Sequence, residues 1–414
     1  MSVSTRAKRC ASIVRDDRGM ALPMVMMVAA VLFVLATMIV ALTVYRTDMV
    51  THQTSRERAV AAADAGLNAY LYRLANVSGL TTSLAGSYEG VSWVVTATPP
   101  ASGAPLTLRS RATLDDGISR IVVAQVKFPT FAEYAWLSNN DINVGSGATI
   151  YGKMHSNQDI TNSGTITDRA TAVGTCTGSG TWGSPTYIAP KSGARSISFA
   201  AVSTDMAEMK TLAQQNNPTT YWPALGSTGL GYEVILSGVS TTVYRVTASS
   251  GSGGTGGPTT KALIASVNVP ANGVMYFDDD VWVQGTYDAG VTIVSGTRTI
   301  RPSGNLVAQD VSNHTKSLGL IAYNSVIMPA SWSALPTNLT IQAAMLAQNG
   351  QITSENGSKA SITLRGSMAS YLTPSMTQGF TTRYYYYDNQ LDFFPPPKYP
   401  STGDKLHFRT WIER

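Results

Sequence analysis

The run from Met20 to Tyr45 holds 26 residues and not one charge. Coiled as an α-helix it is about 39 Å long, more than the roughly 30 Å hydrocarbon core of a bilayer. A secretory apolar region is shorter, about 7 to 15 residues, and a small-residue cleavage site follows it. Here the run passes into "ALTVYRTDM", which offers no such site. Cleavage on that far side is therefore not expected. Pro23 falls in the first turn of a helix that begins at about Met20, where a missing N–H costs little. Gly19, just ahead of it, is a permissive joint for the backbone. The helix starts where the charge stops.

The position of the charge sharpens this reading. Residues 1 to 19 carry Arg6, Lys8, Arg9, Arg15 and Arg18 against Asp16 and Asp17, which is +3 of the chain's net +5. Basic residues ahead of an apolar helix orient it in a membrane. What remains gives no concentrated basic surface, so a nucleic-acid partner is not expected. Charged residues make up only 13% of the chain and glycines number 36, a balance that favours turn-rich β-structure over a helical enzyme. Cys10 and Cys176 lie on opposite sides of the apolar run, so no disulfide framework is implied.

Helical periodicity continues past Arg46. Val60, Ala63, Gly66, Leu67, Tyr70, Leu71 and Leu74 recur at spacings of three and four and form one apolar or small-residue stripe. A single helix from Met20 to about Ala75 is expected, lipid-compatible in its first half and packed on a head in its second.

The leader "RDDRG" followed directly by "MALPMVMM" resembles the class III signal of type IV prepilins and pseudopilins. The resemblance implies cleavage between Gly19 and Met20 by a prepilin peptidase on the cytoplasmic face, then N-methylation of Met20. The fifth mature residue of major pilins is usually glutamate; here it is Met24, as in some minor pilins, including subunits placed at a filament tip. "AAADAGL" (61–67) resembles the small-residue motif of PilX-like minor pilins. A plain N-terminal anchor is the alternative.

Three strand signals follow, "SYEGVSWVVTAT", "PLTLRSRATL" and "GISRIVVAQVKF", separated by turn formers, and predict an antiparallel meander on the helix. From 134 onward short β runs alternate with Gly- and Asn-rich turns, which suggests stacked coils in a parallel β-helix, with a sandwich as the alternative. An insertion at about 195–262 reads as a helix in "VSTDMAEMKTLAQQNN", capped by Asp205, and then a flexible loop at 248–261. The series "GKMHSNQDI", "GVMYFDDDVWVQGTY", "LGLIAYNSVIMP", "LTIQAAMLAQNG" and "LRGSMAS", with the closing "FRTWIER", resembles a poorly characterised extracellular β-helical domain found behind prepilin-like anchors. The fold class expected is α+β and mainly β, with a leader at 1–19, a long helix at 20–76, a β unit at 77–133 and a coil head at 134–414.

Candidate chemistry is sparse. Asp278 and Asp280, with Asp288 nearby, read as a calcium site, as polysaccharide-cleaving acids or as a solvated turn; strand alternation would put Asp278 and Asp280 on one side. His155 in "MHSNQD" reads as a hydrogen-bonding residue between coils, without paired metal-ligand spacing. Tyr384, Tyr385, Tyr386 and Tyr387 form either an aromatic contact surface or a cap closing an end of the coil stack. No nucleophile elbow, phosphate loop or CxxC is present, so no enzyme is expected, and no cofactor beyond the candidate calcium. The role expected is a minor pilin or pseudopilin, inserted with its N-terminus inside and its head outside. Its partners would be other pilins, the peptidase, the membrane and a surface ligand. A non-polymerising surface adhesin and an anchored carbohydrate enzyme are the competing expectations.

Overall fold

The computed structural model describes residues 21–76, 83–98, 106–127, 129–215, 219–310, 316–392, 394–403 and 407–413. Cys10, Gly19 and Met20, and with them the leader and its cleavage point, lie outside the described residues. The chain is α+β and mainly β. One long N-terminal helix carries a β-rich head.

The helix α1 (Ala21–Asn76) is continuous for 56 residues, about 84 Å. Its second half lies under an antiparallel sheet of β1 (Ser83–Tyr88), β2 (Val91–Thr98), β3 (Leu106–Thr113) and β4 (Ser119–Lys127). In β2 the residues alternate strictly between buried and exposed, as a half-solvated sheet requires. The inward set Val91, Trp93, Val95, Leu108, Val122 and Ala124 meets Ala62, Ala63, Leu67 and Tyr70 of α1. Gly66 permits the close approach, because a Cβ there would stand 2.9 Å from the Trp93 ring and from Ser110 Oγ. "SYEGVSWVVTAT" is not one strand, as its sequence predicts, but a hairpin. Glu89 (φ 48°) and Gly90 (φ 80°) both take left-handed backbone and form the tight turn between β1 and β2.

Most of the rest of the head is a stack of coils joined by parallel pairing, which a sandwich of antiparallel sheets lacks. Going up one side, Tyr221–Trp222 pairs with Val274–Phe277, then Val291–Ser295, Leu318–Ala322 and the ends of Asn338–Ala347 and Ser358–Ser370. The order of stacking is not the order of sequence. Met368 to Ser370 pair with Trp136 to Ser138, these with Met154–Ser156, and those with Ala170–Ala172. The chain thus enters the stack in its middle. It builds outward to Trp182, crosses back outside, and refills the other side until residue 370 closes on residue 136. Large apolar side chains such as Phe277, Ile293, Leu320 and Met345 fill the wider block, and Ile142, Ile150, Ile160 and Ile166 fill the narrower one.

The return crossing contains α2 (Val202–Gln214). Met206, Met209 and Ala213 cover the outward residues Val274, Tyr276, Val294, Ile321 and Leu346. Asp205 does not cap this helix; Ala201 holds the N-cap position without a side-chain bond. The backbone of Ser401 hydrogen-bonds the Asp205 carboxyl instead, while burial raises its pKa. The stretch 248–261 is not a flexible loop. It joins Ser240–Ser249 to Pro258–Asn268 in an antiparallel hairpin, itself paired to Gly231–Gly238. Its tip is fastened to the coils: Trp282 Nε1 donates to Gly256 O at 2.8 Å, and Gly256 N to Glu355 Oε1 at 2.9 Å. The last strand, His407–Glu413, leaves the coils and becomes the fifth strand of the α1 sheet, antiparallel to β4.

Candidate assembly surface and head sites

Among the described residues nothing packs on the first half of α1. Met24, Leu32, Phe33 and Leu35 are exposed, Met24 by 70%. This is the one described helix long and apolar enough to cross a membrane. Its threonine hydroxyls bond back within the helix: Thr37 Oγ1 donates to Val34 O and Thr43 Oγ1 to Ile39 O, each at 2.8 Å. Back-bonding of this kind lets a threonine sit in an apolar surrounding without an unsatisfied hydroxyl. An apolar helical surface of this extent is out of place in water and requires a covering.

Above it, polar residues of α1 and the last strand bound an open groove of about 370 Å³, lined by Arg56, Glu57, Asp64, Trp411 and Glu413. Trp411 Nε1 donates to Asp64 Oδ1 at 3.1 Å, which ties the C-terminus to the helix.

In the head, the three candidate aspartates are not brought together. Residues 278–280 form a corner between Val274–Phe277 and Val281–Tyr287, so strand alternation does not govern them. Asp278 accepts from Lys210 Nζ at 2.8 Å and from Tyr221 Oη at 2.7 Å, which pins α2 to the coils. Those bonds raise the pKa of both Lys210 and Tyr221. Asp279 accepts from the backbone of Leu225 and Asp280. Asp280 accepts from Arg301 Nη1 at 2.8 Å. The corner is an ion-paired joint whose partners, Lys210, Tyr221 and Arg301, carry no sequence signal linking them to it. Asp288 is exposed at a separate corner. Among the described residues no three His, Cys, Asp or Glu side chains are grouped to hold a metal ion.

His155 is 2% exposed; Nδ1 lies 2.8 Å from Thr171 Oγ1 on the next coil and Nε2 3.1 Å from Asn157 Oδ1. Cys176 is half-buried, and burial raises its thiol pKa, the opposite of what a reactive cysteine needs.

The tyrosine run is not at an end of the stack. Gly379–Tyr387 pairs with Ser358–Gly366 on one side and, through Tyr386, with Tyr151 on the other, so it lies on the seam between the two coil blocks. Tyr385 turns inward against Trp136, and burial pushes its pKa up to about 12. Tyr384, Tyr386 and Tyr151 form an outward ladder with ring centroids 6.5 and 5.3 Å apart, and Arg365 lies 5.5 Å from the Tyr386 ring. Rings stacked on one another spend their faces on the seam and turn mainly edges to solvent. Tyr151, far away in sequence, is the ladder member that local pattern could not supply.

No protein-family model matches the chain, and none of the curated proteins is similar to it. Among solved structures the chain is similar to the competence-associated pilin ComZ from Thermus thermophilus, at 14% identity, over 87% of this chain and 98% of that one. The TM-score of that match is 0.35, a likeness too slight to carry an argument.

Proposed function

We propose that this chain is a pilin-like structural subunit, held in the cytoplasmic membrane by the first half of α1 and then drawn into a pilus-like filament. The carrying observation is the division of α1 into an apolar half that no described residue covers and a half enclosed by its own sheet. Lipid covers the bare half before assembly, and the corresponding helices of neighbouring subunits cover it afterwards. A prepilin peptidase removes residues 1–19, and Met20 becomes the methylated N-terminus. Met24, at the position where a glutamate would pair with a neighbour's amine, favours a low-abundance or tip subunit over the bulk one. The head is extracellular and takes no part in the polymer core.

The test is to shear filaments from cells that make the native protein and to probe them for the head. Recovery of this chain with the filaments is expected. Recovery solely in the membrane fraction, from cells whose filaments are intact, would contradict assembly and leave a tethered surface protein.

A further inference from the structure

A cavity of about 270 Å³ opens where the corners that precede Val274, Val291 and Leu318 meet the C-terminal segment. Asp288 and Lys316 line it, together with Val269, Phe394, Pro395 and Pro397. Both charged residues are exposed, and neither forms an ion pair or side-chain hydrogen bond among the described residues. The walls are fixed in place. Ser317 Oγ donates to Phe394 O at 2.6 Å, Thr292 Oγ1 donates to Pro397 O, and a Cβ on Gly273 would stand 2.5 Å from the Pro397 ring. Proline walls and locked carbonyls make a site that pays little ordering entropy on binding.

We propose that this cavity binds a sugar ring of a carbohydrate. A simple anion or cation would match one of the two charges and leave the other facing it unpaired. A neutral polyol satisfies both, since each hydroxyl donates to a carboxylate and accepts from an ammonium. The apolar wall of phenyl and proline rings suits the C–H face of a pyranose. The volume is just below the roughly 300–1,000 Å³ of drug-sized sites, which fits a monosaccharide-sized group. The site lies on the head and goes beyond the assembly role, holding whether or not the subunit polymerises.

The experiment is saturation-transfer NMR on the full chain in detergent, with glucose, galactose, N-acetylglucosamine and mannose as separate probes and the dipeptide glycyl-leucine as a zwitterionic one. At least one sugar is expected to receive saturation at millimolar concentration. Asp288→Ala should weaken its binding about tenfold, the usual effect of losing a hydrogen bond to a charged group. Ala289→Trp, which fills the cavity from a half-buried wall position, should abolish it. Near-UV circular dichroism unchanged from the parent verifies that each variant is folded. Saturation of no sugar, saturation of the dipeptide alone, or sugar transfer indifferent to both folded variants would each overturn the assignment.

Discussion

In α1, Leu32 and Leu35 stand 59% and 48% exposed, whereas Leu67 and Tyr70 of the same helix are enclosed beneath β2, β3 and β4. Among the described residues one half is covered by the chain itself and the other is not. Helices with an apolar face gain most of their stability from what covers it, so the bare half must find lipid or other helices. The two halves differ in specificity as well. The covered half is fitted residue by residue, with Gly66 under the Trp93 ring, while the bare half is apolar all round and asks of its surroundings little beyond being apolar.

The largest expected effect breaks the bare half. Leu32→Arg combined with Leu35→Arg places two charges near the centre of the apolar run, at about 2.5–3.5 kcal/mol each on insertion scales. The double variant should leave the membrane fraction in a flotation assay, while the parent stays in it. The covered half should fail differently. Trp93→Ala removes a buried ring at the helix–sheet contact and should cost about 3–5 kcal/mol in denaturant unfolding of the purified chain, with membrane association unchanged. Gly66→Ala tests the same contact from the other side. Its Cβ would press on Trp93 and Ser110, and overpacking of this kind costs about 1–3 kcal/mol. The smallest effect is expected within the bare half. Thr37→Val removes a hydroxyl that bonds only to its own helix, and stability and flotation should both change by less than about 0.5 kcal/mol. A Thr37→Val loss as large as that of Trp93→Ala would show that the bare half is fitted to a partner as tightly as the covered one.

How much of this could be read in the sequence depends on how local each feature is. The helix was legible because its signals, an uncharged run and then a stripe at helical spacing, lie within adjacent turns. The meander was legible from alternation, except at Glu89, where a non-glycine residue takes left-handed backbone that strand propensity does not announce. Short β runs between turns pointed to stacked coils. The seam did not, because the pairing of Met368 with Trp136 closes across more than half the chain and has no local pattern. For the same reason the local pattern of the tyrosine run leaves a contact surface and an end cap both open, whereas its partner Tyr151 makes it an internal joint. The 248–261 stretch misled in the other direction. Its Gly and Ser content reads as a flexible linker, yet Trp282 and Glu355, both distant in sequence, hold its tip. Asp278 and Asp280 stand in the sequence as an unneutralised charge cluster; the cations that pair with them, Lys210 and Arg301, arrive from other elements.

In the proposed assembly role the apolar helix begins at its own N-terminus, the charged leader having been removed. Intact-mass analysis of the native protein, with sequencing of its first residues, tests this most directly. A mature chain beginning with a methylated Met20 is the predicted result. A chain that still carries residues 1–19 would contradict it.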